Sequence, residues 1–557
     1  MDTTPPQGAA PALEAPPRNR WIPILILAVL ATLSVGWYLY AMLRRTAAGF
    51  VYDDAWITLT IARNLAHTGM IGFHPGQWGP GSTSLLWVLL LALGEWLGCP
   101  AAWPALVLGG GAYVAAIALL HDILAWEWGS AAAWLGSLSF LLMGPLRFLA
   151  LSGMETALVI TLGLAGLWFW QKNRPLGAGV VLGLLLWTRF EGLALVIVVV
   201  VASLVQRSRR RGWIKLLAPI TVALAAEVGL NLLTSGSPLP GTWSGRRWLW
   251  GMTDHTFYLQ PATGPRIAAY FDQWRVFLHD WTLQAYLLDQ VPGLRLLYLL
   301  LTWGLLGLAL MGCLLHAWHL WRRQRRISTP VLFLSWTVVH TLVYLILAPV
   351  ALTRYQIIYF VALAVLAAAA VPAVLRIPRR RIHRIALGAP VGVFLGLLLI
   401  ALGTTSIQWA ENYGNMVRHI NDVHIQASRW IDANLPQDAV VAAFDIGAVG
   451  YFGQRAVVDL GGLTDPAFLP YLYEGRTAEY MRQQGVTHLA MVEEKGPYWI
   501  GPRLGIEGKI ADEYFTKREL ARFETDPYIY TPFDRPIYYC FYPTLRSMGI
   551  YEMEWHK

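Results

Sequence analysis

The feature that most constrains this chain is a series of apolar runs, each close to the length of a membrane-crossing helix. A helix rises 1.5 Å per residue, so about 20 apolar residues cross the roughly 30 Å of hydrocarbon in a bilayer. The first run, residues 21–43, carries no charged residue and has no cleavage site behind it, so we expect a retained anchor. Further runs lie near 83–97, 103–121, 131–149, 156–170, 175–188, 190–205, 213–233, 295–320, 330–350, 354–375 and 385–405. The sequence therefore predicts an α-helical polytopic membrane protein.

Composition agrees with this class. Of 557 residues, 56% are hydrophobic and 14% are charged, whereas a soluble globular chain carries about 25% charged residues. A soluble enzyme is therefore excluded. The net charge of +9 alone would suit a nucleic-acid-binding protein, but the basic residues cluster in short segments beside apolar runs, at 207–215, 322–326 and 376–384. We therefore interpret the charge as an orientation signal and expect no nucleic-acid partner.

The positive-inside rule places these clusters in the cytoplasm, together with the arginines before the first run and a weaker cluster near residue 172. All five basic segments lie on the cytoplasmic side only if one of the apolar runs does not cross the membrane. The best candidate is 83–97, because it is about 15 residues long, contains Glu95 and is flanked by Gly and Pro. We predict that it is a re-entrant or interfacial amphipathic helix, which leaves about 11 transmembrane helices.

This topology divides the chain into three predicted parts. Residues 1–20 form a disordered cytoplasmic tail, 21–405 a transmembrane domain and 406–557 an extracytoplasmic α/β domain. The N-terminus is then cytoplasmic and the C-terminal domain external. The predicted external loops cover about 44–102, 149–156 and 234–294.

Two stretches of the C-terminal part have recognisable patterns. Residues 438–460 predict a strand, a short helix and a strand, and 476–493 predict a helix followed by a strand. The DIGAVG segment within the first stretch lacks the spacing of a dinucleotide-binding loop. A packing turn explains it better.

The first predicted external loop opens with VYDDAWITLTIARNL, which places Asp53 and Asp54 shortly after the first span. Acidic residues at a helix start commonly cap it by stabilising its exposed amides. At a membrane face beside a re-entrant element, one carboxylate can instead be a general base. The residues alone leave both interpretations open.

This loop, residues 51–87, resembles the first external loop of the GT-C superfamily of polytopic glycosyltransferases. The resemblance is closest to the mycobacterial-type terminal arabinofuranosyltransferases and their bacterial relatives. Four later segments look similar in the same order, namely LSGMETAL at 151–158, LLWTRFEGL at 185–193, SGSPLPGTWSGR at 235–246 and LTRYQIIYF at 352–360. The similarity spans nearly the whole chain.

The resemblance implies an enzyme that moves a sugar, arabinofuranose or a hexose, from a polyprenyl-phosphate donor to a hydroxyl acceptor such as a cell-envelope glycan. Transfer would occur at the external face of the cell membrane, with inversion. Asp54 is favoured as the general base, with Asp53 positioning sugar or acceptor, and the reverse assignment stays open. No cofactor is firmly implied, although an Asp pair leaves room for a divalent cation near the phosphate.

The leaving phosphate needs fixed cations, and an arginine on the predicted external side usually has a partner. Candidates are Arg189, Arg246, Arg247 and Arg354. Arg354 is favoured because no acid lies near it in sequence, and Arg246 corresponds to a lysine of the family pattern. Arg189 has a local alternative, an ion pair with Glu191.

Four further residues are candidates for positioning the substrate: Glu155, Glu191, His74 and Trp243. Glu155 lies on the second external turn and has an alternative role at the start of a helix. His74 either replaces an Asn contact of the family or caps a turn. Trp243 either stacks on a sugar or lies at the level of the lipid headgroups.

Two other classes of protein also fit these sequence features. A secondary transporter or lipid flippase would also carry intramembrane charges and broken helices. A non-enzymatic assembly partner with an external sensing domain is the third. The long external loops with paired acids favour the enzyme.

Overall fold

The computed structural model describes residues 21–79, 81, 83–206, 209–239, 327–347, 353–355, 357–375, 381–494, 501, 504–525 and 545–556, with scattered positions between 300 and 314. In these residues a bundle of apolar helices is followed by a small sheet. This confirms the predicted helical membrane protein with a sheet-containing C-terminal part.

The described helices share an apolar composition in the first three quarters of the chain and become short and mixed after it. They are α1 (Trp21–Leu43), α2 (Asp54–Thr68), α3 (Leu85–Trp96), α4 (Trp103–Trp128), α5 (Ser130–Leu142), α6 (Gly144–Ala150), α7 (Thr156–Gln171), α8 (Pro175–Thr188), α9 (Leu193–Val205), α10 (Trp213–Ser235), α11 (Thr329–Leu347), α12 (Ile357–Leu375), α13 (Arg381–Ile420), α14 (Gln426–Asn434), α15 (Gly447–Phe452), α16 (Leu469–Glu474), α17 (Thr477–Gln483) and α18 (Lys509–Tyr514). Two 3₁₀ turns matter for the site, Phe190–Gly192 after α8 and Thr353–Tyr355 before α12.

Within the described part, four helical segments are long and apolar enough to cross a membrane: Trp21–Leu43, Trp103–Trp128, Arg210–Ser235 and Gly392–Asn434. The pair α5 and α6 is a fifth candidate, bent by 62° at its junction. Of the other predicted runs, α3, α7, α8 and α9 are apolar helices shorter than a straight crossing needs. Helices α11 and α12 have 19 residues each, close to the length of a crossing. The count of about 11 spans stays a prediction, and most of 295–320 lies outside the described residues.

Helix α3 occupies the run predicted to be re-entrant or interfacial. Its 12 residues extend about 18 Å, well short of the hydrocarbon thickness. Trp87 is buried, and its indole N–H donates to the carbonyl oxygen of Gly153 at 3.0 Å. Because α3 also packs on α2, a short apolar helix supports the segment that begins with Asp54.

A buried arginine on α6 joins this helix to three others next to the turn at 149–156. Arg147 donates hydrogen bonds to the hydroxyls of Ser34 on α1 and Ser406 on α13, and to the carbonyl oxygen of Leu142 at 3.2 Å. A charge inside an apolar bundle needs such polar partners. These bonds fix the chain just before it turns towards Glu155.

Helix α13 connects the bundle to the C-terminal domain without a loop. It continues through a π-helical turn, Asn421–Ile425, directly into α14. The side-chain amide of Asn421 donates to the carbonyl oxygen of Ala47 at 3.0 Å, so the helix is still tied to the end of α1 there. The predicted domain boundary at 405–406 falls within this helix.

The C-terminal sheet has the strand order β2-β1-β3-β5-β4. Its strands are β1 (Val440–Ala443), β2 (Ala456–Asp459), β3 (His488–Glu494), β4 (Phe515–Glu524) and β5 (Leu545–Trp555). β1 is parallel to β2 and β3, whereas β5 is antiparallel to β3 and β4. α15 connects β1 to β2 and α17 precedes β3, which confirms both predicted patterns.

The predicted orientation can be tested through native Cys99, which is exposed in the turn between α3 and α4. With Cys313→Ser and Cys540→Ser as background, we expect a membrane-impermeant maleimide to label Cys99 in intact cells. A matched protein with Cys99→Ser and Arg211→Cys should react only after permeabilisation, because Arg211 belongs to a predicted cytoplasmic cluster. The reverse pattern of labelling would reject the topology.

Candidate active site

Asp53 and Asp54 are adjacent at the start of α2, but their side chains meet different partners. Successive residues of a helix point about 100° apart. Asp53 is 8% exposed, whereas the Asp54 side chain is 40% exposed. Asp53 occupies the N-cap position of α2 yet makes no side-chain hydrogen bond to it. The capping interpretation is therefore wrong for Asp53 and its own helix.

Asp54 forms an ion pair with Arg354. The Arg354 Nη1 lies 2.5 Å from the Asp54 Oδ2. Arg354 is in the 3₁₀ turn before α12, its Nη2 donates to the Tyr355 hydroxyl at 3.0 Å, and its guanidinium lies over the rings of Tyr355 and Tyr52. Arg354 has no acid near it in sequence, but the fold brings one from the other end of the membrane domain.

A second charged group surrounds Arg189, which is buried at the junction of α8 and α9. Its Nη1 donates to the Glu155 Oε1 at 2.7 Å, and its Nη2 and Nε donate to the two oxygens of Glu191 at 2.6 and 3.2 Å. The guanidinium also lies 4.7 Å from the ring centre of Tyr355. Glu155 thus makes an ion pair rather than a side-chain cap of α7. The predicted pair of Arg189 and Glu191 is present.

One small cavity lies between the two charged groups and includes an arginine from each. Its wall includes Arg189, Glu191, Arg354, Tyr355, His340 and Trp336. The His340 Nε2 donates to the carbonyl oxygen of Tyr355 at 2.9 Å, and the Tyr344 hydroxyl donates to the Glu191 Oε1 at 2.8 Å. A largely apolar wall with a few fixed polar groups is typical of a ligand site. Asp54 adjoins this wall through Arg354.

The two arginines differ in their electrostatic surroundings. Arg189 lies between the carboxylates of Glu155 and Glu191, so this group of three carries more negative than positive charge. An anion placed there would meet repulsion as well as attraction. Arg354 and Asp54 balance each other. The geometry therefore favours Arg354 over Arg189 as a phosphate ligand, which stays a prediction for both.

Other predicted residues lie elsewhere. His74 is in the turn after α2, where its ring packs edge-on against Phe73, and it does not line the cavity. Trp243, Arg246 and Arg247 lie outside the described residues. Their predicted roles are neither supported nor opposed by the geometry.

Three polar residues of this region are absent from the sequence prediction: His340, Tyr344 and Tyr355. Tyr355 lies within the LTRYQ segment used for the resemblance, next to Arg354. His340 and Tyr344 are four residues apart in α11 and share one face of the helix. A pair of polar residues at helical spacing within an apolar run would have indicated His340 and Tyr344 from the sequence.

No group of three or more His, Cys, Asp or Glu side chains in the described residues could hold a metal ion. Asp53 and Asp54 turn to separate partners. Asp53 and Asp54 therefore do not form a shared pair of ligands for a divalent cation beside the phosphate.

Asp53 contacts the C-terminal domain. Its carboxylate oxygens accept hydrogen bonds from the backbone N–H groups of Gly447 at 2.6 Å and Ala448 at 2.8 Å. His424 and Asp445, hydrogen-bonded to each other at 3.2 Å, face the same carboxylate. Burial raises the pKa of the Asp53 carboxyl to about 6, against the opposing effects of the His424 charge and the two backbone donors.

Sequence comparison identifies no characterised relative. A family model for a domain of unknown function (DUF8728) matches residues 413–540, which cover α14 to β4. No curated protein matches the sequence significantly.

Solved structures, in contrast, share the fold over nearly the whole chain. The apo oligosaccharyltransferase of Archaeoglobus fulgidus is similar with a TM-score of 0.57 and 12% identity, over 94% of this chain and 76% of that one. AglB from the same organism, in complex with an inhibitory peptide and a dolichol-phosphate, gives 0.55 and 13%, over 92% and 75%. ArnT from Cupriavidus metallidurans, bound to undecaprenyl phosphate, gives 0.52 and 14%, over 95% and 97%.

These similarities show that the chain shares its fold with the oligosaccharyltransferase and with ArnT. The likeness extends through both the helical bundle and the C-terminal domain. The nearer relationship to terminal arabinofuranosyltransferases stays a prediction.

The environment of Asp53 predicts a pH-dependent stability. A folded-state pKa of about 6, raised from the ordinary value of 3.8, means that the folded protein binds this proton more tightly than the unfolded chain. Stability therefore falls as pH rises from about 4 to 6, by an amount on the order of 3 kcal/mol, and then levels off.

We expect the Tm of the protein in detergent to fall between pH 5 and pH 7, and to fall less in Asp53→Asn, which cannot titrate. Differential scanning fluorimetry of both proteins in the same buffers measures the difference. Identical pH dependence in the two proteins would contradict the assignment to Asp53.

Proposed function

We propose that this chain is a membrane glycosyltransferase that moves a sugar from a polyprenyl-phosphate donor to a hydroxyl acceptor on the external face of the cell membrane. The observation that carries the proposal is the Asp54–Arg354 ion pair beside the cavity. It combines a partly exposed carboxylate with a cation suited to phosphate. The fold supports the same class, because AglB is solved with a dolichol-phosphate and ArnT with undecaprenyl phosphate.

The proposed chemistry assigns one role to each member of the pair. The acceptor oxygen attacks the anomeric carbon, the bond from that carbon to the phosphate oxygen breaks, and the polyprenyl phosphate leaves with the electron pair. Asp54 takes the proton of the acceptor hydroxyl as general base. Attack opposite to the phosphate inverts the anomeric centre. Arg354 offsets the charge that develops on the phosphate.

Arg354 can contact both Asp54 and the donor phosphate. A guanidinium offers five N–H donors in a fixed plane, so Nη1 can stay on Asp54 while another N–H contacts a phosphate oxygen. In this proposal Arg189 holds the carboxylates of Glu155 and Glu191 in place. Glu191, which lines the cavity, then accepts hydrogen bonds from sugar hydroxyls, and Glu155 positions Arg189 from the other side.

The remaining parts of the proposal rest on the sequence resemblance. Arg246 and Arg247 assist at the phosphate, Trp243 stacks on the sugar, and His74 makes a polar contact. The sugar is arabinofuranose or a hexose, and the acceptor is a cell-envelope glycan or another hydroxyl compound. The protein is a multi-pass protein of the cell membrane with a cytoplasmic N-terminus and an external C-terminal domain.

Replacing the proposed base gives the direct test. We expect Asp54→Asn to lower sugar transfer at least 100-fold in protein that remains folded, because a positioned base contributes about 10²–10⁴ in rate. The assay uses radiolabelled decaprenyl-phosphoryl arabinofuranose and undecaprenyl-phosphoryl hexoses with purified protein and short glycan acceptors. Asp438→Asn, which removes an exposed acid of the C-terminal domain, is the matched control and should retain full activity.

Wild-type transfer by Asp54→Asn would overturn the base assignment. If the folded wild-type protein transfers no sugar from any of these donors but moves a lipid-linked sugar across a vesicle membrane, the flippase or transporter class is correct instead.

Arg354 allows a second, separate test. Arg354→Gln should weaken binding of undecaprenyl phosphate about 10–100-fold, because it removes a charge-assisted contact of about 1.5–3 kcal/mol. Arg354→Lys should recover part of this loss, since the charge remains but the planar fork does not. Isothermal titration in detergent measures both. Unchanged affinity in Arg354→Gln would exclude this arginine as the phosphate ligand.

A further inference from the structure

The short helix α15 of the C-terminal domain is held at both ends by α2. At its start, the Asp53 carboxylate accepts the backbone N–H groups described above. Towards its end, the Arg63 guanidinium donates to the carbonyl oxygens of Tyr451 at 2.7 Å and Gly450 at 3.2 Å. The amides at a helix start and the carbonyls at its end lack partners within the helix. The Asp53 side chain supplies a partner for the amides, and the Arg63 side chain supplies one for the carbonyls.

Aromatic packing joins the same two helices between these polar ends. Trp56 of α2 is buried, with its ring 5.2 Å from that of Tyr451 and 4.8 Å from that of Phe452. The Arg63 guanidinium lies 4.4 Å from the ring centre of Tyr451. The Tyr451 hydroxyl donates to the Glu95 Oε1 of α3 at 2.9 Å. The C-terminal domain therefore contacts both helices of the first external loop.

Gly447 is what permits the close approach at the Asp53 end. A Cβ added at this position would lie 2.1 Å from the backbone oxygen of Asp53 and 2.7 Å from its Oδ2. The first of these atoms belongs to the backbone and cannot rotate away. A methyl group at residue 447 would therefore separate α15 from α2 without altering any residue of the membrane domain.

From these contacts we infer that the C-terminal domain is a positioning element of the active site, and that Asp53 and Arg63 are positioning residues through which α15 holds α2. The inference rests on the proposed function, because the group that α2 carries into the site is Asp54. It also gives a role to the segment that matches only a domain of unknown function.

The physical reason is the short distance along the chain between the contact and the base. Asp53 and Asp54 are joined by one planar peptide unit, so a shift of the Asp53 backbone also moves Asp54. A misplacement of about 1 Å at a reacting group can cost about 100-fold in rate. Donor binding depends on other elements, among them the turn with Arg354, and should be affected much less.

The test compares Gly447→Ala with Gly403→Ala in the full-length protein. Gly403 lies in α13, and an added Cβ there meets nothing within 4 Å, so this variant is the control for a Gly-to-Ala change in the same chain. For Gly447→Ala we expect kcat to fall at least 10-fold and the KM for the lipid donor to change less than about 2-fold. Hydrogen exchange should become faster in a peptide covering the start of α2, whereas Gly403→Ala should resemble the wild type.

Rates are normalised to the folded, monodisperse fraction at the assay temperature, so that a loss of folded protein alone does not lower kcat. Arg63→Ala and Arg63→Lys extend the test to the other end of α15, where lysine should recover part of the kcat that alanine loses. Faster exchange in α2 with an unchanged kcat would overturn the inference, and so would unchanged exchange with an unchanged kcat. An active Asp54→Asn enzyme would instead overturn the assignment of Asp54 as the base, and a folded wild-type protein that transfers no sugar would overturn the proposed function.

Discussion

Charge burial at one end of the helix bundle is the constraint on which the rest of this structure depends. Isolated charges beside apolar helices are costly, because little water is available to solvate them. Each charged side chain named here has a partner of opposite charge, and two of the three ion pairs join distant segments. Arg189 joins Glu155 and Glu191, and Arg354 joins Asp54. These pairs fix the relative positions of four chain segments around the cavity.

Much of the architecture was accessible from the sequence, because the signals that specify it are local. The 23-residue run of α1 follows from hydropathy alone. The run at 83–97 forms the short helix α3, with Glu95 near its end, as its length and flanking glycine and proline residues predicted. In the C-terminal domain, β-branched runs with glycine between them predicted β1, α15 and β2. Each of these patterns is contained in fewer than 30 consecutive residues, where periodicity and turn chemistry act.

The candidate site was accessible only in part, because pairing between distant segments leaves no local trace. Asp54 and Arg354 were both singled out, but their ion pair was not, since nothing near Arg354 in sequence indicates an acid. The sequence likewise did not show that Asp53 and Asp54 contact different partners. Acidic capping was the right chemistry for Asp53, but the capped helix is α15, which follows nearly 400 residues later. Only the tertiary fold decides which helix end meets a carboxylate.

The continuous helical segment from Gly392 to Asn434, 43 residues long, determines how the C-terminal domain is held. At 1.5 Å per residue it is about 65 Å of rod, stiff over most of its length. A domain on a flexible linker would have to lose conformational entropy each time it found its docking surface. Here the rod keeps Gly447 close to Asp53 at a very high effective concentration. A few hydrogen bonds and three aromatic rings are then enough to keep the contact closed, although none of them would hold two free proteins together.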